Sequence, residues 1–332
     1  MILAGDIGGT KTHLGLFVLR GEQIDRVADA TYASRDHPSF DAVLERFRQD
    51  TRRPTSIDVA CFGVAGAVID GRSNATNLPW QLDERALGSF LGCRHVKLLN
   101  DLEAAAYGML HLPPEKLHVL QEGDRPRANC AVIAAGTGLG EAMLWYDGTR
   151  WHPVASEGGH ASFAPQDDEE VELLRYLRAR LQGHVSTERV LSGPGLRHVY
   201  EFLRDTGRFE EPKWLAEELA QGDPSADIST LALAGKSALC EAALRRFVRI
   251  YGAEAGDLAI RVLARGGVYL GGGIAPKILP ALEAPDFREA FRAKGRFQPL
   301  LERIPIAVAL DPSVPLLGAA HFASGLVGRP GG

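Results

Sequence analysis

The pattern that most limits the possible folds is an apolar strand followed by a glycine turn and a second strand, and it occurs twice. It opens the chain, where residues 1–7 and 13–19 flank Gly8-Gly9, and it returns in CAVIAAGTGLGEAMLWY, residues 130–146. Short apolar runs on either side of turn-forming glycines are typical of β-strands. We therefore predict two similar halves, the first opening with an antiparallel meander that continues through residues 26–33.

Length and composition indicate a globular protein with a small-molecule partner. A chain of 332 residues is longer than one core of ordinary size, so two domains are expected. The hydrophobic fraction of 45% is that of a packed protein, and the sequence shows no fixed-period repeat or low-complexity tract. The net charge of -5 argues against a nucleic-acid or anionic-membrane surface.

The N-terminus and the cysteines predict a cytoplasmic location. MILAGDIGG reaches Asp6 after only a few apolar residues, unlike a signal peptide, and no run approaches membrane-spanning length. The first predicted strand starts almost at Met1, so we expect no added DNA-binding segment. The four cysteines lack C-x-x-C spacing, which argues against a zinc ribbon or a disulfide framework and favours reduced thiols; they are Cys61, Cys93, Cys130 and Cys240.

The rest of the first half alternates strands and helices. Residues 38–50 and 82–91 predict helices, while IDVACFGVAG, 67–76 and 96–99 predict strands. An Ala-rich helix follows the predicted strand 96–99. Adjacent prolines at 113 and 114 end this helix and mark a boundary at residues 112–116. We expect a small α/β domain formed by residues 1–110 plus about 311–332, and a large α/β domain formed by residues 111–310.

The second half is richer in helix. Residues 228–264 are long and Ala-rich, and they predict two helices around Gly252. GGVYLGGGIAPK predicts a strand, a glycine turn and a helix that starts near Pro276, where the missing N–H costs little. Residues 304–310 predict the last strand and Pro315 the start of the last helix. A further helix presents one apolar face, formed by Val171, Leu174, Leu177 and Leu181.

The stretch LLNDLEAAAYGM raises the question why a carboxylate, Asp101, follows a strand at the start of a helix. One answer is capping, because Asn100 and Asp101 can accept backbone N–H groups at the positive end of the helix dipole. The other is chemistry, because α/β proteins hold ligands at the carboxyl edge of the sheet.

Three glycine turns predict phosphate recognition. GDIGGTKT, GTGLG and GGGIAPK each follow a predicted strand, and glycine turns expose backbone N–H groups to an anion. Asp6 stands beside the first turn, where it forms either an Asx turn or a Mg²⁺ site completed by water and phosphates.

Two other motifs do not fit their usual settings. GKS at residues 235–237 resembles the end of a Walker A loop, but Thr230 stands where the first glycine belongs and the segment lies in a helical pattern. The E-x-x-H spacings of Glu157 to His160 and Glu115 to His118 are interrupted by glycines or preceded by prolines, so paired metal ligands on helices are not expected.

Polar side chains at several of these motifs suit a sugar, whose hydroxyls both donate and accept hydrogen bonds. The simpler alternatives are a hydrogen-bonded loop histidine for His160 and a surface or capping carboxylate for Glu188. The set comprises Asn100, Asp101, Glu157, His160 and Glu188.

Taken together, the motifs resemble the bacterial glucokinase family, which belongs with hexokinase, actin and Hsp70 among the actin-like ATPases. They occur in the family's order: GDIGGTKTHLGLF, GVAGAVIDGRSNATNLPW, LLNDLEAAAYGM, GTGLG, SEGGHASFAP, VSTERVLSGPGL, GGVYLGGGI, FRAKGRF and PLLGAA. The resemblance implies a two-domain, actin-like (ribonuclease H-like) α/β fold with mixed sheets flanked by helices and an interdomain active site. It also implies ATP-dependent, Mg²⁺-assisted phosphorylation of glucose at its 6-hydroxyl.

The resemblance also implies a role for each motif. Asp101 would be the general base, and Asn100, Glu157, His160 and Glu188 would contact glucose. Gly272 and Gly273 would lie near the adenosine and Asp6 near the magnesium. The residues that would face the phosphates are Gly8, Gly9, Thr10, Gly136, Thr137 and Gly138.

Two departures from the family pattern bear on this assignment. Many members have Asn where Lys11 stands, and GGTKT is closer to the related ROK sugar kinases, so the role of Lys11 stays open. ROK proteins carry a cysteine-rich zinc motif after E-G-G-H, which this sequence lacks there. We expect a glucokinase that forms a homodimer, with two alternatives: a kinase for another hexose or N-acetylhexosamine, and a non-catalytic actin-like or sugar-responsive protein.

Overall fold

The computed structural model describes residues 1–21, 23–52, 56–75 and 77–327. Thr76, in the predicted strand region 67–76, and residues 328–332 of the predicted small domain lie outside the described residues. The chain divides into two compact units. Unit 1 contains residues 1–116, 151–155 and the segment from Asp311 onward, and unit 2 contains residues 117–150 and 156–310.

Strands and helices alternate along most of the described chain. The strands are β1 (Ile2–Ile7), β2 (Lys11–Arg20), β3 (Gln23–Ala33), β4 (Val59–Val64), β5 (Val68–Ile69), β6 (Arg72–Asn74), β7 (Gln81–Asp83), β8 (His95–Asn100), β9 (Leu117–Gln121), β10 (Cys130–Ala135), β11 (Leu139–Tyr146), β12 (Trp151–Ser156), β13 (Gly267–Gly271) and β14 (Ile306–Ala309). The helices are α1 (Phe40–Thr51), α2 (Glu84–Leu91), α3 (Asp101–Met109), α4 (Asp168–Leu181), α5 (Gly193–Asp205), α6 (Lys213–Leu219), α7 (Pro224–Leu233), α8 (Ala238–Arg261), α9 (Leu279–Glu283), α10 (Pro285–Arg292), α11 (Gln298–Leu301) and α12 (Val314–Ser324).

Unit 1 is built on a mixed five-stranded sheet in the order β3-β2-β1-β4-β8. The first three strands are an antiparallel meander, as predicted, and β1, β4 and β8 run parallel. Ile7 lies opposite Val64, and Val64 lies opposite Asn100. The carboxyl ends of three parallel strands therefore meet at one edge, which places the residues that follow them close together.

The large sheet has the order β12-β11-β10-β13-β14-β9. Strands β10 and β11 form an antiparallel hairpin, and β10, β13 and β14 run parallel. The five-stranded and the six-stranded sheet thus each contain a hairpin, and the inner strand of each hairpin pairs in parallel with a strand from later in the chain. This confirms the predicted similarity of the two halves.

The core of unit 2 surrounds α8, whose Phe247 and Tyr251 are fully buried. Burying an aromatic side chain of this kind stabilises a fold by roughly 1.5–3 kcal/mol. In α4 the buried apolar positions are Leu173 and Leu177, while Val171, Leu174 and Leu181 are half-buried. The buried face of α4 is therefore rotated slightly toward Leu173, relative to the predicted apolar face.

The predicted break at Gly252 is wrong. Helix α8 runs without interruption through this residue. The glycine serves the packing of α8 against α10, because a side chain there would collide with the carbonyl oxygen of Phe287. The break comes earlier, at Gly235, which has a left-handed φ of 65°, and Ser237 then caps α8. GKS is accordingly a loop between two helices, and the helical setting assigned to it is also wrong.

The predicted helix start at Pro276 is also wrong. Strand β13 leads into hydrogen-bonded turns in which the Lys277 and Ile278 N–H groups both donate to the Ile274 carbonyl, at 2.9 and 3.1 Å. Helix α9 begins only at Leu279, with Pro280 in its first turn.

Two expectations from composition can be compared with the fold. All four cysteines are buried and free. Within the described ranges, no helix is both long and apolar enough to cross a membrane.

Candidate active site

The junction between β8 and α3 answers the question raised by LLNDLEAAAYGM. Asn100 caps α3: its Oδ1 accepts from the Leu102 N–H at 2.8 Å, and its own N–H donates to Glu103 at 2.8 Å. This reciprocal pair is a capping box. The Asn100 amide nitrogen also donates to the Gly66 carbonyl, at 3.2 Å. The capping interpretation therefore holds for Asn100.

Asp101 occupies the first turn of α3, where the helix dipole favours a negative charge. Its Oδ1 accepts a hydrogen bond from the Leu102 N–H at 2.9 Å. Asp6 stands at the same edge of the sheet, near the end of β1. Burial raises the pKa of Asp6 to about 6, and the charge of Asp101 adds to this rise. Two neighbouring carboxylates that disfavour each other's charge form a setting that a cation would stabilise.

Hydrogen bonds from neighbouring residues stabilise the Gly8-Gly9-Thr10 turn beside Asp6. The Gly8 N–H donates to the Lys11 carbonyl at 3.0 Å, and the Ser34 hydroxyl donates to the Gly8 carbonyl at 2.7 Å. The hydroxyls of Thr12 and Ser34, both fully buried, lie 2.9 Å apart. Sequence reasoning missed Ser34, which lies 26 residues beyond Gly8, although a polar residue directly after a predicted strand was a usable signal.

In unit 2, Glu188 lies directly on the GTGLG turn. Its Oε2 accepts from the Leu139 N–H at 3.0 Å, and a Cβ placed on Gly138 would lie 2.6 Å from the same oxygen. The turn closes through a 2.8 Å hydrogen bond from the Gly136 N–H to the Gly138 carbonyl. Glu188 is therefore a half-buried carboxylate bound to this turn and not a free surface group.

The start of α5 is attached to the same turn. The Gly193 N–H donates to the Gly136 carbonyl at 2.8 Å, and the Ser225 hydroxyl donates to the Gly193 carbonyl at 2.7 Å. Ser192 caps α5 and also donates to the carbonyl of Glu188, at 2.7 Å. Two motifs separated by about fifty residues in sequence thus form one structure.

The E-G-G-H motif forms a short 3₁₀ turn over Gly158–His160. His160 Nε2 lies 3.9 Å from Glu157 Oε2, and both side chains are exposed, by 61% and 73%. The segment after the turn packs along the Glu188 motif, because the Thr187 N–H donates to the Ala161 carbonyl at 2.9 Å. Unit 2 therefore brings the GTGLG, E-G-G-H and Glu188 motifs together.

The third glycine turn lies beside the second. Gly272 has a φ of 77°, and a side chain there would collide with the carbonyl of Ala135. The Ile274 N–H donates to the same carbonyl, at 3.2 Å. Among the described residues other than its chain neighbours, no atom lies within 4 Å of the Cβ position of Gly136 or of Gly273. A ligand can therefore approach the backbone closely at both turns.

The carboxylates of these motifs do not form a dense metal centre. Within the described ranges, no group of three or more His, Cys, Asp or Glu side chains is placed to hold a metal ion. Magnesium does not need one, because it is usually held by one or two carboxylates together with water and substrate phosphates. Asp6 beside a phosphate-type turn fits that pattern.

Sequence reasoning also missed Glu141, which lies inside β11 and is 1% exposed. Burial raises the pKa of Glu141 to about 8, and the nearby charge of Glu254 contributes. A charged residue in the middle of an apolar strand was the signal that could have identified it.

The fold and these sites define a sugar kinase of the actin-like ATPase class. A glucokinase from an Antarctic psychrotroph matches with a TM-score of 0.87 and 30% sequence identity, over 98% of both chains. A ROK family glucokinase from Streptomyces griseus, solved in complex with glucose and AMPPNP, shares the fold with a TM-score of 0.65 and 22% identity, over 98% of this chain and 99% of that chain.

Sequence comparison then gives the family. The family model described as Glucokinase matches residues 3–326. A glucokinase from Trichormus variabilis is 40% identical over 98% of this chain and 99% of its own, and one from a Synechocystis species is 41% identical over 97% of both. The chain belongs to the glucokinase family, which confirms the resemblance found in the motifs and makes the protein a phosphotransferase.

Proposed function

We propose that the protein transfers the γ-phosphoryl group of ATP to the 6-hydroxyl of glucose, giving ADP and glucose 6-phosphate. The observation that carries the proposal is the edge of the unit 1 sheet, where Asp6 and Asp101 lie close enough to influence each other's charge. The glycine turn that follows Asp6 lies at the same edge and is closed by the hydrogen bond from the Gly8 N–H to the Lys11 carbonyl. Carboxylates beside an anion-binding turn suit a reaction between a hydroxyl and a magnesium-bound phosphate.

Asp101 acts as the general base in this proposal. The proton of the 6-hydroxyl passes to its carboxylate as the new O–P bond forms and the bond to the ADP oxygen breaks. The hydrogen bond from Leu102 fixes the orientation of the carboxylate, so the base is positioned before the substrate arrives. A positioned base contributes about 10²- to 10⁴-fold in rate.

The sugar hydroxyls bind to Asn100, Glu157, His160 and Glu188. Carboxylates accept hydrogen bonds from hydroxyls, while amide and imidazole nitrogens can donate to them. The exposed pair Glu157 and His160 and the turn-bound Glu188 supply this mixture of groups in unit 2.

The phosphates lie against two turns, Gly8-Gly9-Thr10 and Gly136-Thr137-Gly138, and bind to backbone N–H groups other than those of Gly8 and Gly136, which donate within their own turns. Gly272 and Gly273 hold the adenosine, supported by the space beside Gly273. Asp6 is the residue that would hold Mg²⁺, through water, and the metal would supply charge neutralisation for the phosphates. Because the transition state of phosphoryl transfer is loose, positioning and charge neutralisation are the main tasks of the protein.

The test is sugar-dependent release of ADP. We expect ADP production with glucose that exceeds production with mannose, fructose or N-acetylglucosamine at equal concentration. A preference for one of the other sugars would favour the alternative of a different hexose or hexosamine kinase. Filament formation without sugar-dependent ADP release would favour an actin-like scaffold.

The homodimer and the cytoplasmic location remain predictions. Size-exclusion chromatography with light scattering tests the first, and fractionation of the native cells tests the second.

A further inference from the structure

The strongest unassigned feature is a carboxyl group buried beneath the E-G-G-H turn. Glu141 lies opposite Ile133 in the β10–β11 hairpin and is 1% exposed. A side chain on Gly158 would collide with Glu141 Oε2, so this carboxyl group lies directly against the turn that presents Glu157 and His160. Among the described residues, Glu141 Oε1 has no hydrogen-bond partner.

The charges around Glu141 do not balance unless one carboxyl group keeps its proton. Glu254 and Asp257, both on α8, interact with it. Arg261 lies 2.7 Å from Glu254, and Lys294, which follows α10, lies 2.7 Å from Asp257. Three carboxyl groups therefore face two cations. One bound proton makes the cluster of five side chains neutral. Because a buried, unpaired charge is costly, the protonated state is favoured.

Glu141 is the member that holds this proton. Glu254 and Asp257 each pair with a cation, whereas Glu141 Oε1 has no hydrogen-bond partner among the described residues. Its raised pKa, about 8, agrees with that assignment.

We propose that Glu141 is a positioning residue for the sugar, because its neutral carboxyl group supports the turn that carries Glu157 and His160. The inference rests on the proposed sugar-binding role of that turn. Loss of the proton places a second anion beside Glu254, and the unpaired oxygen then draws in water or displaces the Gly158–His160 turn. Sugar binding weakens as a result, while the catalytic groups of unit 1 are unchanged.

The test is the pH dependence of KM for glucose. In the wild type we expect KM to rise roughly three- to tenfold as the pH passes from neutral to one unit above the pKa of Glu141, with kcat unchanged. Glu141→Gln keeps the shape and the neutral state of the protonated carboxyl group, so its KM stays near the neutral wild-type value at every pH.

The matched control is Glu201→Gln. Glu201 is 5% exposed, also lies in unit 2, and pairs with Arg180 and Arg197 at 2.8 Å. We expect this variant to keep the wild-type rise in KM. A rise in KM in Glu141→Gln that matches the wild type would overturn the inference, as would a pH effect confined to kcat.

Two further measurements separate this inference from the proposed function. Infrared titration without sugar should show a protonated carboxyl band that disappears near the pKa of Glu141 and is missing from Glu141→Gln; a wild type without that band would overturn the inference. If Glu157→Gln leaves KM unchanged, the sugar assignment of the turn fails, and the inference fails with it. If Glu157→Gln raises KM while Glu141→Gln keeps the wild-type pH dependence, the inference alone fails.

Discussion

Asp101 and Asn100 are neighbours at one helix start, yet they have separable roles. Asn100 supplies the capping box, whereas Asp101 accepts a hydrogen bond from the Leu102 N–H through its Oδ1. We expect Asp101→Asn to keep the fold and glucose binding, because an amide oxygen still accepts that bond. Turnover should fall by roughly 10²-fold or more, because an amide cannot take a proton from the hydroxyl.

The control for this substitution is Asp83→Asn. Asp83 caps α2 by accepting from the N–H groups of Arg85 and Ala86, at 2.9 and 3.0 Å. A loss of turnover in both variants would point to helix stability, and near-normal kcat in Asp101→Asn would contradict the role of the base.

Glu141 also predicts how stability depends on pH. Its pKa is raised from 4.5 to about 8 in the folded state, so the folded protein binds a proton that the unfolded chain has already released over that interval. The stabilisation linked to this proton is complete below the unfolded pKa and is lost as the pH rises through the folded value. We expect the urea midpoint of the wild type to decline across this window more steeply than that of Glu141→Gln. Parallel declines would contradict the prediction.

At the scale of elements, α8 and α10 depend on a close approach at Gly252. Gly252→Ala places a methyl group against the carbonyl of Phe287, and overpacking of this kind typically costs about 1–3 kcal/mol. We expect a lower urea midpoint for this variant. Gly183→Ala is the control, because no atom of the described residues other than its chain neighbours lies within 4 Å of its Cβ position, and its midpoint should change little. Equal midpoints for the two variants would refute this account of the helix contact.

A stacked histidine pair links the segment that follows α3 to α12. The rings of His111 and His321 lie 3.8 Å apart and nearly parallel. Burial lowers the pKa of His321 from 6.5 to about 4, and the charge of His111 adds to this. As the pH falls, His321 takes up its proton near pH 6.5 in the unfolded chain but only near pH 4 in the folded protein. The stability present above pH 6.5 is therefore lost as the pH falls toward 4.

We therefore expect His321→Phe, which keeps a ring at this position, to lose less stability than the wild type over that acidic interval. Thermal unfolding at a series of pH values measures the difference. The exposed His184 supplies the control, since His184→Phe should follow the wild type. An acid dependence of His321→Phe as steep as that of the wild type would rule out the histidine pair as its source.

The sequence predicts local structure well where the signal is itself local. The strand, glycine turn and strand at each hairpin were correct because a few adjacent residues determine them. The errors at Gly252 and Pro276 come from contacts with distant elements: Phe287 permits only glycine at 252, and the turn hydrogen bonds of Ile274 postpone the helix to Leu279. No pattern within α8 reveals that α10 packs against it.

At the scale of the whole molecule, the motifs predicted the family correctly, whereas the contacts within the site could not be predicted from the sequence. Glu188 lies 49 residues beyond Leu139, to which it is hydrogen-bonded, and Ser34 supports a turn 26 residues away. Spacing alone does not identify either contact. The assignment of individual site residues therefore stays a proposal, to be tested one substitution at a time.

Water competes with the sugar for the phosphoryl group, and kinases commonly suppress this side reaction by closing around the correct substrate. We therefore expect glucose to make the protein more compact, seen as a smaller radius of gyration in solution scattering. Fructose at the same concentration is the control and should have less effect. Scattering curves unchanged by saturating glucose would contradict the prediction.

The burial of all four native cysteines makes that motion open to a second, site-specific measurement. Because Cys61, Cys93, Cys130 and Cys240 are at most 7% exposed, maleimide dyes should not react with them under native conditions. Cysteines introduced at exposed positions, one in each unit, would then carry the only fluorophores. Energy transfer between them would follow the response to glucose molecule by molecule, without first removing any native thiol.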